Sequence, residues 1–259
     1  MTFVTSALVL YSQPLGERDV RLRLLSPERG LFEVVAKGGK RSKKRFVNIL
    51  EPFSFLRVHV RQGRVSHLPP FLDQADLLEA FERLRSSFLH YLKASYFCEI
   101  VESLFKPHTG QEAFKPLLKG LYILAGERDF SWPLFKLHFE LQMLARSGFM
   151  PRFKECVRCG QKPQTERFFS FKEGGVVWRF FSFKEGGVVC KNCFHEGDFL
   201  FPPAVHTFLG HLLQMPVEKL SRLRPAAENL KQAGKIIENF LLFVVDREIN
   251  SLRILKEML

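Results

Sequence analysis

Two Cys-x2-Cys pairs constrain this 259-residue chain more than any other feature: Cys156-Val-Arg-Cys159 and Cys190-Lys-Asn-Cys193. Each pair puts two sulfurs on one tight knuckle. Two knuckles brought together complete a tetrahedral four-thiolate site suited to zinc. The fold must therefore carry residues 156 and 193 back to the same point. Four protein ligands leave no position for a catalytic water, so the expected Zn2+ is structural, stabilising a hairpin-rich segment with little core of its own. Unmetallated thiols in a loop are the alternative. Disulfides fit less well. The N-terminus, Met-Thr-Phe-Val-Thr-Ser, lacks the charged region of a signal peptide, which makes the reducing cytoplasm the expected compartment. Cys98, among Phe97, Ile100 and Val101, reads as a packed thiol, and His195 reads as lying outside the ligand set.

The 30 residues between the knuckles contain a repeat: Arg167–Val177 recurs word for word as Arg179–Val189, with Trp178 between the copies. Each copy reads as strand, Glu-Gly-Gly turn, strand, which is hairpin chemistry. A tandem duplication and a sequence error would both produce it, and an intact mass separates them. Without one 12-residue unit the spacer is 18 residues, ordinary for a zinc ribbon. Either copy can supply the hairpin that enters Cys190; the other is expected to loop outward or be poorly ordered.

Residues 2 to about 72 read as β. Val20, Leu22 and Leu24 alternate with Arg21 and Arg23, the period-2 signature of a half-buried strand. Further strands are expected at Val4–Tyr11, Leu31–Ala36, Phe53–Val60 and Val65–Leu68, with breaks at Gln13–Gly16, Pro27–Gly30 and Gln62-Gly63. Five short strands in this length suggest a small closed barrel.

The third strand ends at Gly38-Gly39, and six cations then crowd into nine positions with no acid among them: Lys37, Lys40, Arg41, Lys43, Lys44 and Arg45. Like charges and two glycines oppose strand pairing, so a flexible cationic loop is expected. Its natural counterion is a polyanion, phosphate backbones above all; a merely solvated charge run is the plainer alternative. Residues 1–72 hold 13 Lys/Arg against 5 Asp/Glu, so two-thirds of the chain's net charge of +12 lies there. Arg21, Arg23, Arg57, Arg61 and Arg64 are candidates to extend the track. Phe46 or Phe53 is a candidate to stack on a base, with core packing the alternative for Phe53.

From Asp76 the pattern turns helical. Leu77, Leu78, Phe81, Leu84, Phe88, Leu92, Tyr96, Ile100 and Leu104 recur at three- and four-residue steps. Helices follow near 111–125, 132–147, 203–214 and 226–250, with Ser131 as an N-cap and Gly148 at a C-terminus. The expected architecture is α+β: a barrel over 1–75, then a helical domain over 76–259 with the ribbon, 151–200, inserted. No apolar run is long enough to span a bilayer. The sequence contains no phosphate loop, His-Glu-x2-His or nucleophile elbow, and its eight histidines do not pair with carboxylates at meaningful spacing. A binding protein, not an enzyme, is expected.

These features in this order resemble the RecO family of bacterial DNA repair and recombination mediators across nearly the whole chain. The markers are Gly16-Glu-Arg-Asp19, Ala36-Lys-Gly38, Glu51-Pro-Phe53, Leu78-Glu-Ala-Phe81, Ser147-Gly-Phe-Met-Pro151 before Cys156-x2-Cys159-Gly160, and Phe183–Cys193. The doubled hairpin departs from the family pattern. Some members lack the cysteines, so the resemblance implies that the metal is not required for the shared function. It further implies an N-terminal OB-fold that binds single- and double-stranded DNA and a protein that anneals complementary strands. With RecR, such a protein helps load RecA on DNA coated by single-strand-binding protein, whose acidic C-terminal tail it contacts. The rivals are a zinc-ribbon RNA-binding or transcription-associated protein and an adaptor for acidic peptides.

Overall fold

The computed structural model describes residues 2–42, 45–63, 68–126, 131–161, 169–170, 175–176 and 179–258, with backbone alone at 169–170, 175–176 and 179. In chain order the elements are β1 (Thr2–Leu15), β2 (Asp19–Ser26), β3 (Gly30–Ala36), β4 (Phe55–Arg61), β5 (Phe71–Glu79), α1 (Glu82–Ser86), α2 (Phe88–Leu104), α3 (Gln111–Ala125) and α4 (Trp132–Arg146). There follow β6 (Phe169–Ser170), β7 (Gly175–Val176), β8 (Arg179–Ser182), β9 (Gly187–Val189), β10 (Phe199–Phe201), α5 (Pro203–Gln214), α6 (Ala227–Val245) and α7 (Asn250–Met258). They form two compact units, Met1–Arg128 with Glu248–Leu259, and Asp129–Arg247.

In the first unit, β1 to β5 close into a barrel in the order β1-β2-β3-β5-β4. Every pair is antiparallel except β3 with β5, which touch in parallel at Val35↔Phe71. Alternation puts Ala7, Val9, Val20, Leu22, Leu24, Phe32, Val34, Leu56, Val58 and Val60 in the barrel core. The arginines between them in sequence face out. β1 is long enough to serve two partners, β4 over residues 2–8 and β2 over 8–15, with a bulge between Val9 and Tyr11. The break expected at Gln13–Gly16 is thus only the turn from Gly16. Pro14 sits in the β2-paired half, where its missing N–H removes no bond toward β4.

Expectations at the barrel's end need correction. Asp76–Glu79 are strand, not helix: Leu77 pairs with Leu56 and Glu79 with Phe55, so barrel closure overrides the helical propensity of Asp-Leu-Leu-Glu, and the strand runs past the boundary set at 75. Leu77, Leu78 and Phe88, part of the three- and four-residue apolar periodicity, are exposed. The expected strand at Val65–Leu68 has its first three residues outside those described.

The last helix belongs to the first unit, and the segment expected as one helix to 250 breaks after Val245, where Asp246 turns left-handed. The Glu99 carboxylate on α2 accepts the N–H of Asn250 at 2.9 Å and of Ser251 at 3.0 Å, and the Ser251 hydroxyl at 2.6 Å. It thereby caps the positive end of α7.

The second unit packs α4, α5 and α6 together with the ribbon. Lys136 lies between Glu140 (2.6 Å) and Glu238 (2.7 Å), tying α4 to α6. At the end of α4, Gly148 is left-handed and the Phe149 N–H reaches the Leu144 carbonyl at 2.9 Å, the Schellman closure that favours glycine there. Ser131 precedes α4, but no side-chain capping bond forms.

Both repeat copies pair within themselves, and in the same register: Phe169↔Val176 and Ser170↔Gly175 in the first, Phe181↔Val188 and Ser182↔Gly187 in the second. The second copy enters Cys190 and gains β10 on its other side. The remainder of the first copy lies outside the described residues. The ribbon proves richer in core than its sequence suggests. Phe153, Phe181 and Phe201 are buried, Phe153 stacks on Phe201 at 5.7 Å, and Phe181 meets Phe240 of α6 edge-on at 5.6 Å.

Candidate nucleic-acid interface and metal centre

The four cysteine sulfurs all lie within 4.8 Å of one another. A zinc ion about 2.3 Å from each sulfur of a tetrahedron sets sulfurs roughly 3.8 Å apart; Cys159 and Cys190 stand at 3.8 Å. The first knuckle turns through the Gly160 N–H to the Cys156 carbonyl (2.9 Å), with Gly160 left-handed, and the second through the Cys193 N–H to the Cys190 carbonyl (3.0 Å). The Cys190 N–H points at the Cys156 sulfur at 3.4 Å. Burial resists ionisation of Cys156, yet N–H groups of Cys190, Cys159 and Arg158 outweigh it and lower the thiol to about 6. The neighbouring Cys190 thiol, with burial, pushes Cys193 up to about 12. Four thiols this close ionise together only around a cation. The donor set fits a soft divalent metal.

Arg158, inside the first knuckle, carries no signal of its own in the sequence. Its Nε meets Glu185 at 2.9 Å, Nη2 meets Asp198 at 3.0 Å, and Nη1 reaches Asp198 at 2.6 Å and the Cys193 carbonyl. One guanidinium thus joins the first knuckle, the β8–β9 turn and the loop after the second knuckle. The Asp198 side-chain hydrogen bonds lead in raising its pKa. Burial would raise Asp198, but the Arg158 hydrogen bond and charge prevail and hold it below the ordinary carboxylate range. No spacing rule flags such a residue. The only hint is an arginine between two ligands with acids downstream. His195 is exposed and gives its backbone N–H to Asp198.

On the barrel, the post-β3 segment is more ordered than a flexible loop. Gly38 turns left-handed, and its N–H binds the Asp19 carboxylate at 2.8 Å. Gly39 is packed so tightly that a Cβ would meet Val20, Ala36 and Leu50 at 3.1–3.2 Å. Residues 39–41 form a 3-10 turn, and the Ser42 hydroxyl accepts the N–H groups of Arg45 and Phe46. Lys40 binds the β1–β2 turn through Gly16 O (2.7 Å) and, by its N–H, Arg18 O (3.0 Å). Exposed Arg18 therefore joins the cationic surface. The Gly-Glu-Arg-Asp turn is the signal that could have found it. Lys43, Lys44 and Arg64 lie outside the described residues.

Lys37, Arg45 and Arg61 converge. Arg45 binds the Lys37 carbonyl (3.0 Å) and the Asp73 carbonyl (3.4 Å), and Arg61 forms a bidentate pair with the Asp73 carboxylate at 2.8 and 3.1 Å. Arg41 and Arg57 are exposed. Arg23 is drawn to Glu33 (3.0 Å) and Glu102 (3.4 Å), away from an uncompensated role. Arg21 is half-buried, and its Nε has no hydrogen-bond partner among the described residues.

Neither Phe46 nor Phe53 is available for stacking, at 3% and 1% exposure. Phe46 sits in the barrel core. Exposing it costs about 1.5–3 kcal/mol, as much as stacking a base returns, about 1–3 kcal/mol, so it stays in. Phe53, in a left-handed turn, packs edge-on against Tyr91 at 5.1 Å.

A closed OB-type barrel bearing a cationic turn cluster, in one chain with a four-cysteine ribbon, defines the class. The family models described as Recombination protein O N terminal and C terminal match residues 1–81 and 85–253. Curated relatives named DNA repair protein RecO include that of Myxococcus xanthus, 36% identical over 66% of this chain and 69% of its own. That of Alkaliphilus metalliredigens is 27% identical over the full length of both, and that of Heliobacterium modesticaldum 30% identical over 90% of this chain and 81% of its own. The chain belongs to the RecO family. Among the described residues, no helix is long and apolar enough to cross a membrane.

Proposed function

We propose that this protein is a cytoplasmic, nucleoid-associated DNA repair and recombination mediator with no catalytic site of its own. It binds single- and double-stranded DNA on the barrel and anneals complementary strands. Together with RecR it helps load RecA on DNA coated by single-strand-binding protein, whose acidic C-terminal tail it contacts. The supporting observation is the cluster of Lys37, Lys40, Arg41 and Arg45 at the barrel rim, with no acid in the 37–45 segment, in a chain of the RecO family. Lys43 and Lys44 belong to the same segment, and Arg21 and Arg57 extend it. Arg23 and Arg61 contribute less while they hold carboxylates, although exposed ion pairs are weak enough for phosphates to compete. The cysteines hold structural Zn2+, and the domain reading of barrel, helical part and ribbon 151–200 is kept, with the boundary between barrel and helical part moved from 75 to Glu79, the last residue of β5.

Two strands screened by one cationic surface lose the repulsion that keeps them apart, and annealing follows. If about five phosphates of a single strand are neutralised, log K falls with log salt at a slope of roughly −3.5. The test is strand annealing with and without single-strand-binding protein, comparing wild type with Lys40, Arg41, Lys43 and Lys44 all changed to Ala. The expected result is acceleration by wild type and loss in the variant. A salt slope near zero refutes the reading, and tighter binding to RNA than to DNA at equal salt supports the RNA-binding rival.

A further inference from the structure

We infer that Phe71 is the platform on which the barrel stacks a base of single-stranded DNA, an assignment that rests on the DNA-binding reading above. Four positions off the barrel interior, of which Val35 is itself buried, run in register across four strands: Arg21 pairs with Val35, Val35 with Phe71, and Phe71 with Arg61. They form one row over β2, β3, β5 and β4, on the side of an OB barrel, with the β1–β2 and β4–β5 loops, that is shaped for oligomeric ligands. Phe71 is the aromatic residue in that row and is half-buried, its edge packed so closely by Gly63 that a Cβ there would meet the ring at 3.3 Å.

The cations gather on this ring. Lys37 Nζ stands 4.3 Å and the Arg61 guanidinium 5.8 Å from its centroid. Asp73, two residues on, pins Arg61 bidentately, and Arg45 ties the Lys37 and Asp73 backbones together. Arg21, at the other end of the row, keeps a buried Nε donor without a partner among the described residues. Such an arrangement suits a nucleotide. The base takes the ring face that Lys37 covers in the free protein, and Lys37 moves onto the phosphate. A lysine–aromatic contact at an exposed site is weaker than the stacking of a base on the ring, so the exchange runs toward the base. A duplex keeps its bases stacked on one another and offers the ring nothing, whereas the surrounding cations serve both forms. Phe71 therefore sets the preference for single strands, and the loop sets overall affinity.

The experiment compares a 5′-labelled oligothymidylate with a duplex of equal length for wild type, Phe71→Leu and Phe71→Tyr. Phe71→Leu should lower the ratio of single-strand to duplex affinity about tenfold with an unchanged salt slope, and Phe71→Tyr should restore the ratio. Melting temperature and zinc content check folding. In wild type, photocrosslinking an oligonucleotide carrying 5-iododeoxyuridine should label the peptide holding Phe71. An unchanged ratio in Phe71→Leu, or crosslinks that map elsewhere, overturns the inference while leaving phosphate binding intact. Failure of wild type to bind either form overturns the underlying reading as well.

Discussion

The barrel and the cysteine ribbon solve the same problem, holding short strands together, by opposite means. In the barrel each strand has a neighbour on both sides, and an aliphatic core fills the interior. In the ribbon a three-stranded sheet of β8, β9 and β10 and two knuckles are fixed at points, by four sulfurs within 4.8 Å and by Arg158. Stability in the barrel is spread over many apolar contacts, so any single one is dispensable to a degree. In the ribbon a small aromatic core of Phe153, Phe181 and Phe201 is supplemented by a few polar groups at the knuckles, and losing one of those matters more.

The largest effect that can break this contrast is removal of the zinc proposed for the four cysteines. Structural zinc contributes an apparent 10–16 kcal/mol or so in small isolated sites. Chelation, or Cys193→Ser, should release one zinc per chain and abolish the ribbon's cooperative melting. Oligonucleotide binding by the barrel should persist, and metal analysis with calorimetry reads both. Complete loss of DNA binding on chelation would mean that the two regions are not independent.

Next comes Arg158→Ala, which strands Glu185 and the well-buried Asp198 and should destabilise the second unit by about 3 kcal/mol. Denaturant unfolding measures it. The same pair sets an acid limit. Asp198 titrates below its unfolded value, so its stabilisation is complete above about pH 4 and is lost as pH falls through the lower native value. Asp198→Asn should flatten that acid limb. The fourfold alanine substitution of Lys40, Arg41, Lys43 and Lys44 should weaken oligonucleotide binding about 100-fold in dilute salt, near 2.7 kcal/mol. It should make the salt slope shallower by roughly 2.8, without moving the melting of the ribbon. Glu99→Gln weakens the cap on α7 and should cost about 1 kcal/mol, confined to the first unit. Deleting residues 167–178 is expected to do least. The second copy already supplies the hairpin entering Cys190, so zinc content and melting should stay as they are.

Distributed stability is also what made the barrel legible. Val20, Leu22 and Leu24 alternating with Arg21 and Arg23 announce a half-buried strand by spacing alone, and the four cysteines announce their own convergence. Point-like and long-range features were not legible. Nothing local says that Arg158 faces Asp198 forty residues on, or that Glu99 caps a helix beginning at Asn250. Leu77 and Leu78 read as helix because the strand that claims them, β4, lies some twenty residues earlier. Phe46 reads as a stacking residue because it follows a run of cations, and only the closed barrel reveals that its ring points inward. Phe71 escapes notice for the converse reason, since its importance comes from Lys37 and Arg61, which pairing brings to it.

The return of α7 to the first unit bears on how the protein matures on the ribosome. Its docking surface on α2 is synthesised first, whereas Asn250 and Ser251 are added only after the whole of the second unit, Asp129–Arg247. Until then the Glu99 carboxylate has no helix to cap. The barrel and its neighbouring helices must wait for that cap while the entire ribbon-bearing unit is made, so a unit begun before the ribbon is completed only after it.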